Sequence, residues 1–163
     1  MLRVSKLTDY AVVVLIRLSS ENACLAGQEA DAAVQTTPAI AAATSVPEPT
    51  VAKVLKALSV AGLVLSQRGA RGGYRLQRPL ETISVADVIV AVDGPIALTA
   101  CVDGALGGCE VHQCCAVRGR WDLVNDAIRQ SLTAITLADM RDAGLPMGLR
   151  LPQIATHAYT TAE

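Results

Sequence analysis

A chain of 163 residues is enough for one domain, or a small domain plus an appendage, and 52% apolar against 18% charged residues excludes a disordered polyelectrolyte. Fourteen Lys and Arg face fifteen Asp and Glu, a net charge of −1 that excludes a uniformly basic nucleic-acid coat. The balance is uneven, however: residues 1–78 carry 9 basic and 5 acidic side chains, residues 79–163 carry 5 and 10, as expected of two jobs on one chain.

In chain order, Thr8 is placed to cap a helix over residues 9–18, with Asp9 in its first turn where a carboxylate suits the helix dipole. Its near-continuous apolar run reads as a helix buried on most sides. That run is bracketed by Lys6, Asp9 and Arg17, too short for a membrane span and wrongly flanked for a secretory signal, so a cytoplasmic protein is expected. Residues 19–36 carry no clear pattern. Thr37-Pro38 starts a short helix over 38–43, cap followed by a preset first position. After the turn Thr44-Ser45-Val46-Pro47, a helix over 49–60 has Val51, Val54, Leu55 and Leu58 as its inner face and Gly62 to end it.

Two short helices joined by a tight turn predict a helix-turn-helix. Strands over 63–67 and 74–77 flank Arg68-Gly69-Ala70-Arg71-Gly72-Gly73, which predicts a hairpin tip, or wing. Residues 48–78 hold six basic side chains and one acidic. A helix in the major groove reads base edges with polar residues near its N-terminus. Thr50 and Lys53 occupy that place, and Lys56 suits a phosphate. Arg68 and Arg71 suit phosphates or the minor groove, and Gly72 and Gly73 allow close backbone approach. With their neighbours Pro49 and Tyr74, these residues form the candidate DNA-contacting set. A helix-turn-helix alone occurs in many small folds without DNA; the Gly-Arg hairpin directly after it favours the DNA reading.

Ser84 and Asp87 have capping-box spacing for a helix ending near Asp93-Gly94-Pro95. Residues 99–116 have no periodicity but hold Cys101, Cys109, Cys114 and Cys115, with Cys24 apart from them. In a reducing compartment these are thiols or metal ligands rather than structural disulfides. Thiolates suit iron–sulfur clusters, zinc or copper(I). Zinc favours tight CxxC pairs, which only Cys109–Cys114, with four residues between, approaches, so the wide spacings suit a larger cluster better, while metal-free thiols stay open as an alternative. Cys114 and Cys115 are adjacent and are expected to point differently, so that one of them ligates; His112 is a further candidate donor in the segment. Trp121, Val124, Ile128, Leu132 and Ile135 then form one apolar stripe on a helix of about five turns, suited to pairing with its twin. The tail from Arg141, with Gly144, Pro146, Gly148 and Pro152, reads as a loose extension. With two histidines and no Ser/His/Asp set, phosphate loop or paired acid–base carboxylates, no enzyme is expected.

With these pieces in place, the chain resembles the IscR/NsrR-type family of winged-helix iron–sulfur regulators, and within it the branch controlling SUF-type cluster assembly. The resemblance runs from Leu2 to about Met140. It rests on Ser5-Lys6-Leu7-Thr8-Asp9-Tyr10-Ala11-Val12, on residues 49–58 and 68–76, on Cys109-Glu110, on Cys115-Ala116-Val117-Arg118 before Trp121, and on Thr136-Leu137-Ala138-Asp139-Met140. It implies a homodimeric regulator binding a double-stranded DNA operator, with a [2Fe–2S] or [4Fe–4S] cluster on Cys101, Cys109 and Cys115 and Cys114 left over. One branch of the family takes a fourth ligand three residues after the last cysteine, where this chain has Arg118. Another takes a carboxylate at the start of the partner's first helix, where this chain has Asp9. Gain or loss of the cluster would then shift two reading helices whose half-sites lie roughly 34 Å apart. The expected fold is mainly α with a small β-hairpin: a winged helix-turn-helix over 1–80, a cluster-binding loop and long C-terminal dimerisation helix over 81–140, and a loose tail over 141–163.

Overall fold

The computed structural model describes residues 4–20, 34–69, 72–100, 102, 117 and 119–142. The expectations for the five cysteines, for His112, for Arg71 and for the tail beyond Asp142 lie outside the described residues. Six α-helices and one hairpin follow in the order α1 Lys6–Ser20, α2 Thr37–Thr44, α3 Glu48–Val60, β1 Val64–Gln67, β2 Gly73–Leu76, α4 Val85–Asp93, α5 Trp121–Thr133 and α6 Leu137–Arg141, with a 3-10 turn at Leu80–Thr82.

The apolar run of α1 makes it the central helix. Ala11, Val14, Leu15 and Leu18 are fully buried, and Leu7, Tyr10, Val12 and Ile16 pack at their edges. It packs against α2, α3, α4 and α6. The helix starts earlier than the pattern suggested. Ser5 Oγ accepts the Thr8 N–H at 3.1 Å, whereas the Thr8 hydroxyl donates at 2.8 Å to Asp93 Oδ2 at the end of α4. Thr8 is thus a buried tie between two helices instead of a cap, because its oxygen faces a carboxylate 85 residues away.

The α2 cap is likewise one residue earlier than expected: Thr36 Oγ1 accepts from Ala39 N, and Pro38 lies inside the first turn. Ser45 turns the chain in the left-handed region (φ 59°), which drops Val46 into the core between α2 and α3. Helix α3 buries Val51, Val54, Leu55 and Leu58, a single face at helical spacing. Truncating Leu55 or Leu58 to Ala would cost about 2–5 kcal/mol. The helix ends through paired bonds, Gly62 N–H to Ser59 O and Leu63 N–H to Leu58 O, with Gly62 at φ +70°. Leu63 therefore belongs to the helix stop, and β1 begins at Val64.

The hairpin is antiparallel, in the register Val64↔Leu76, Leu65↔Arg75, Ser66↔Tyr74 and Gln67↔Gly73. Gln35, in the stretch the sequence left unassigned, adds a third edge: its N–H and carbonyl exchange bonds of 2.9 and 2.8 Å with Tyr74.

Ser84 starts α4 with both bonds of a capping box. Helix α5 has 13 residues, shorter than the five turns the stripe suggested. It stops because Thr136 is the N-cap of α6, with a capping box of its own to Asp139, and the backbone around it is drawn into an antiparallel bridge with Ser84. Leu137 and Ala138 thereby enter the same core cluster as Leu15, Leu55 and Ile83. Of the stripe, Ile128 and Leu132 are half-buried while Trp121 and Val124 stay exposed. The described fold is mainly helical with a two-stranded hairpin, as expected. No helix of the described residues is long and apolar enough to cross a membrane.

Candidate nucleic-acid interface

Because α3 turns Val51, Val54, Leu55 and Leu58 inward, its opposite side carries Pro49, Lys53, Lys56 and Val60, all exposed. Thr50 lies at the flank, half-buried, its N–H bonded to Pro47 O. The hairpin projects directly after α3, with Arg68 exposed at the end of β1. None of Lys53, Lys56 and Arg68 is ion-paired to a carboxylate among the described residues. Arg78, by contrast, is already engaged, 3.5 Å from Asp87. An anionic polymer lying along α3 would therefore meet uncompensated cations on the helix and on the hairpin, while the apolar face behind them fixes their spacing.

The hairpin glycines have an internal reason to be glycine. A Cβ on Gly73 would lie 2.5 Å from Gln35 O and 2.7 Å from Val34 Cγ1, and one on Gly72 would lie 2.6 Å from Gln67 O. Both spaces are filled by the chain's own backbone. Tyr74 is half-buried against the core and central to the bridge with Gln35, so its described contacts are to the fold itself. Gln35 was missed from sequence because a single-residue bridge leaves no periodic trace. Arg75, opposite Leu65 and half-buried, is a further cation that the hairpin carries.

Asp9 is exposed in the first turn of α1, with no side-chain hydrogen bond or ion pair among the described residues. It borders an open cavity of about 340 Å³ whose wall includes Val4, Lys6, Val12, Val85 and Met140. Among the described residues no group of three or more His, Cys, Asp or Glu side chains could hold a metal ion.

A family model described as Rrf2, iron-dependent transcriptional regulator, matches residues 4–143. The chain belongs to the Rrf2 family. An HTH-type transcriptional regulator of Mycobacterium tuberculosis (strain ATCC 25618 / H37Rv) is 33% identical over 146 residues, covering 89% of this chain and 84% of that protein. The HTH-type transcriptional regulator IscR of Escherichia coli (strain HS) is 37% identical over 79 residues, 48% of each chain. Among solved structures, CymR, the global cysteine regulator of B. subtilis, superposes with a TM-score of 0.62 at 27% identity over 89% of this chain and 100% of that one. The IscR of T. potens does so with a TM-score of 0.59 at 26% identity over 93% and 94%. Rrf2 members are transcriptional regulators that bind DNA, and not enzymes, which agrees with the sequence's lack of a catalytic set.

Proposed function

We propose that this Rrf2 regulator is a cytoplasmic homodimer that senses iron–sulfur status through a cluster on its cysteine segment and represses SUF-type cluster-assembly genes. The observation that carries the reading is the concentration of four of the five cysteines within 15 residues, between α4 and α5 of a DNA-binding fold. The donor chemistry of the segment fits: thiolates are the ligands an iron–sulfur cluster takes. Cys101, Cys109 and Cys115 would hold it, and Asp9, whose carboxylate is unengaged among the described residues, would complete the set across the dimer. When bound, the cluster would supply an oxygen- and iron-responsive group.

The remaining work belongs to the chain. Thr50 and Lys53 face base edges, while Pro49 and Tyr74 flank them. Lys56, Arg68 and Arg71 hold phosphates, and Gly72 and Gly73 let the wing fold tightly on Gln67 and Gln35 so that its arginines are presented. Trp121 and Val124 on α5 pair with the partner's copy. A cluster shared by the cysteine segment and the partner's α1 would set the angle between the two reading helices, and hence operator affinity.

The likeness to CymR favours a second reading, in which the same cysteines act as a metal-free thiol sensor. The two part company in an anaerobic preparation. Visible charge-transfer absorbance with iron and acid-labile sulfide supports the cluster. A colourless, iron-free protein after reconstitution, whose DNA affinity follows thiol oxidation, supports the second reading. Zinc in place of iron would make the segment a structural site.

A further inference from the structure

Helix α5 buries one residue, and that residue is polar. Asn125 is 3% exposed while its helix neighbours are exposed or half-buried. Its amide is engaged at both ends. The Nδ2 donates to Ile96 O at 3.0 Å and the Oδ1 accepts from Leu98 N at 3.1 Å. A planar group offering donor and acceptor side by side matches the carbonyl of Ile96 and the N–H of Leu98, two backbone groups one residue apart. An apolar residue would take the side-chain partner from both half-buried backbone groups.

The place of this clasp in the chain gives it meaning. Leu98 precedes Cys101 by three residues, and Val102 is buried, its N–H bonded to Thr99 O. At the far end, Arg120 N–H bonds Val117 O in the turn that leads into Trp121, six residues after Cys115. Asn125 sits one turn into the helix that follows. It therefore ties the entrance of the cysteine segment to the helix at its exit.

We propose that Asn125 is a positioning residue for the cysteine segment: its clasp holds the backbone at Ile96 and Leu98, three residues before Cys101, to the helix that begins six residues after Cys115. Holding the two together raises the effective concentration of one thiol at the other and reduces the ordering needed to seat a shared group. This deepens the cluster reading and rests on it only for the cluster arm of the test below.

The first arm uses metal-free, reduced protein in which Cys24, Cys109 and Cys114 are Ser. Diamide takes two electrons and two protons from Cys101 and Cys115 to form their disulfide. Asn125→Ala slows this at least fivefold, and Asn125→Asp, which keeps the shape but loses the donor to Ile96 O, slows it measurably. Leu132→Ala, which trims a half-buried residue of the same helix outside the clasp, leaves the rate unchanged at matched loss of thermal stability. Equal rates for the parent chain and Asn125→Asp overturn the proposal. So does an equal slowing by Leu132→Ala, which would make Asn125 a general packing residue. Should Asn125→Ala fail to fold, Asn125→Asp and hydrogen exchange at the Leu98 amide carry the comparison.

The second arm uses the full reconstituted chain and follows bleaching in air. Asn125→Asp bleaches at least threefold faster than the parent, and an unchanged lifetime overturns the positioning role. A parent chain that never takes up iron instead overturns the cluster reading, while the disulfide rates still decide the clasp.

Discussion

Ser84 and Thr136 face each other across a one-pair antiparallel bridge, and each is the N-cap of its own helix. Val85 N–H bonds Ile135 O and Leu137 N–H bonds Ile83 O, so α4 and α6 are launched from the same short ladder. Through it, the segment that follows α5 is locked to the start of α4, on the core of the DNA-binding unit.

Thr136→Ala is expected to lower stability by about 1 kcal/mol through loss of the cap, read from urea unfolding. The cap also carries a pH signature. Hydrogen bonds from the Thr136 hydroxyl and then the Thr136 backbone N–H hold the Asp139 carboxyl below its ordinary value. A carboxyl depressed in the folded state contributes stability that is present above its unfolded value and is lost as pH falls through the folded one. The stability gap between the parent and Asp139→Asn should therefore be constant from about pH 5 to 7 and close below about pH 4. A gap that widens on acidification would contradict the capping geometry.

Gly73→Ala forces a methyl against Gln35 O and Val34. The expected result is a loss of about 1–3 kcal/mol and faster amide exchange at Gln35 and Tyr74, because the third edge of the hairpin must move away. An unchanged unfolding midpoint would mean that the close approach is absent in solution.

Lys53 and Arg68 separate two kinds of DNA contact. Lys53→Ala should weaken binding to the operator by about 1–3 kcal/mol with a smaller effect on unrelated duplex. Arg68→Ala and Arg71→Ala should weaken binding to every sequence and lower the salt slope by about 1 each. Titrations at several salt concentrations check this, and an unchanged slope for both arginines would remove the wing from the phosphate contacts.

Val124 is 45% exposed on α5, beside exposed Trp121 and Leu123. On the proposed homodimer, Val124→Glu is expected to shift sedimentation from dimer to monomer with little change in unfolding of the monomer, since the side chain is exposed on the single chain. A dimer unaffected by Val124→Glu would place the subunit contact on another face.

Cys115→Ser should bleach the anaerobic protein and Cys114→Ser should not; the reverse would move the third thiolate to Cys114. Asp9→Ala should shorten the cluster's lifetime in air without lowering the melting temperature. Its carboxylate makes no described contact within the chain, so a stability loss in its place would return Asp9 to service of the helix dipole.

Sequence alone determined the elements whose signals are local. Helix α3 and its buried face, the hairpin after Gly62, and the Ser84–Asp87 capping box all follow from spacings of a few residues. The same local logic marked Lys53, Lys56 and Arg68 as outward cations. The Thr136–Asp139 box was equally local, yet the stripe running through Ile135 masked it. Tertiary structure decided what depends on distant partners. Thr8 serves Asp93 and not its own helix, Gln35 joins the hairpin, and Asn125, the buried residue of α5, reaches back to Ile96 and Leu98. In each case one polar group chooses between a near partner and a far one, and burial decides for the far one, because a backbone or side-chain group removed from water must be hydrogen-bonded wherever the fold supplies a partner.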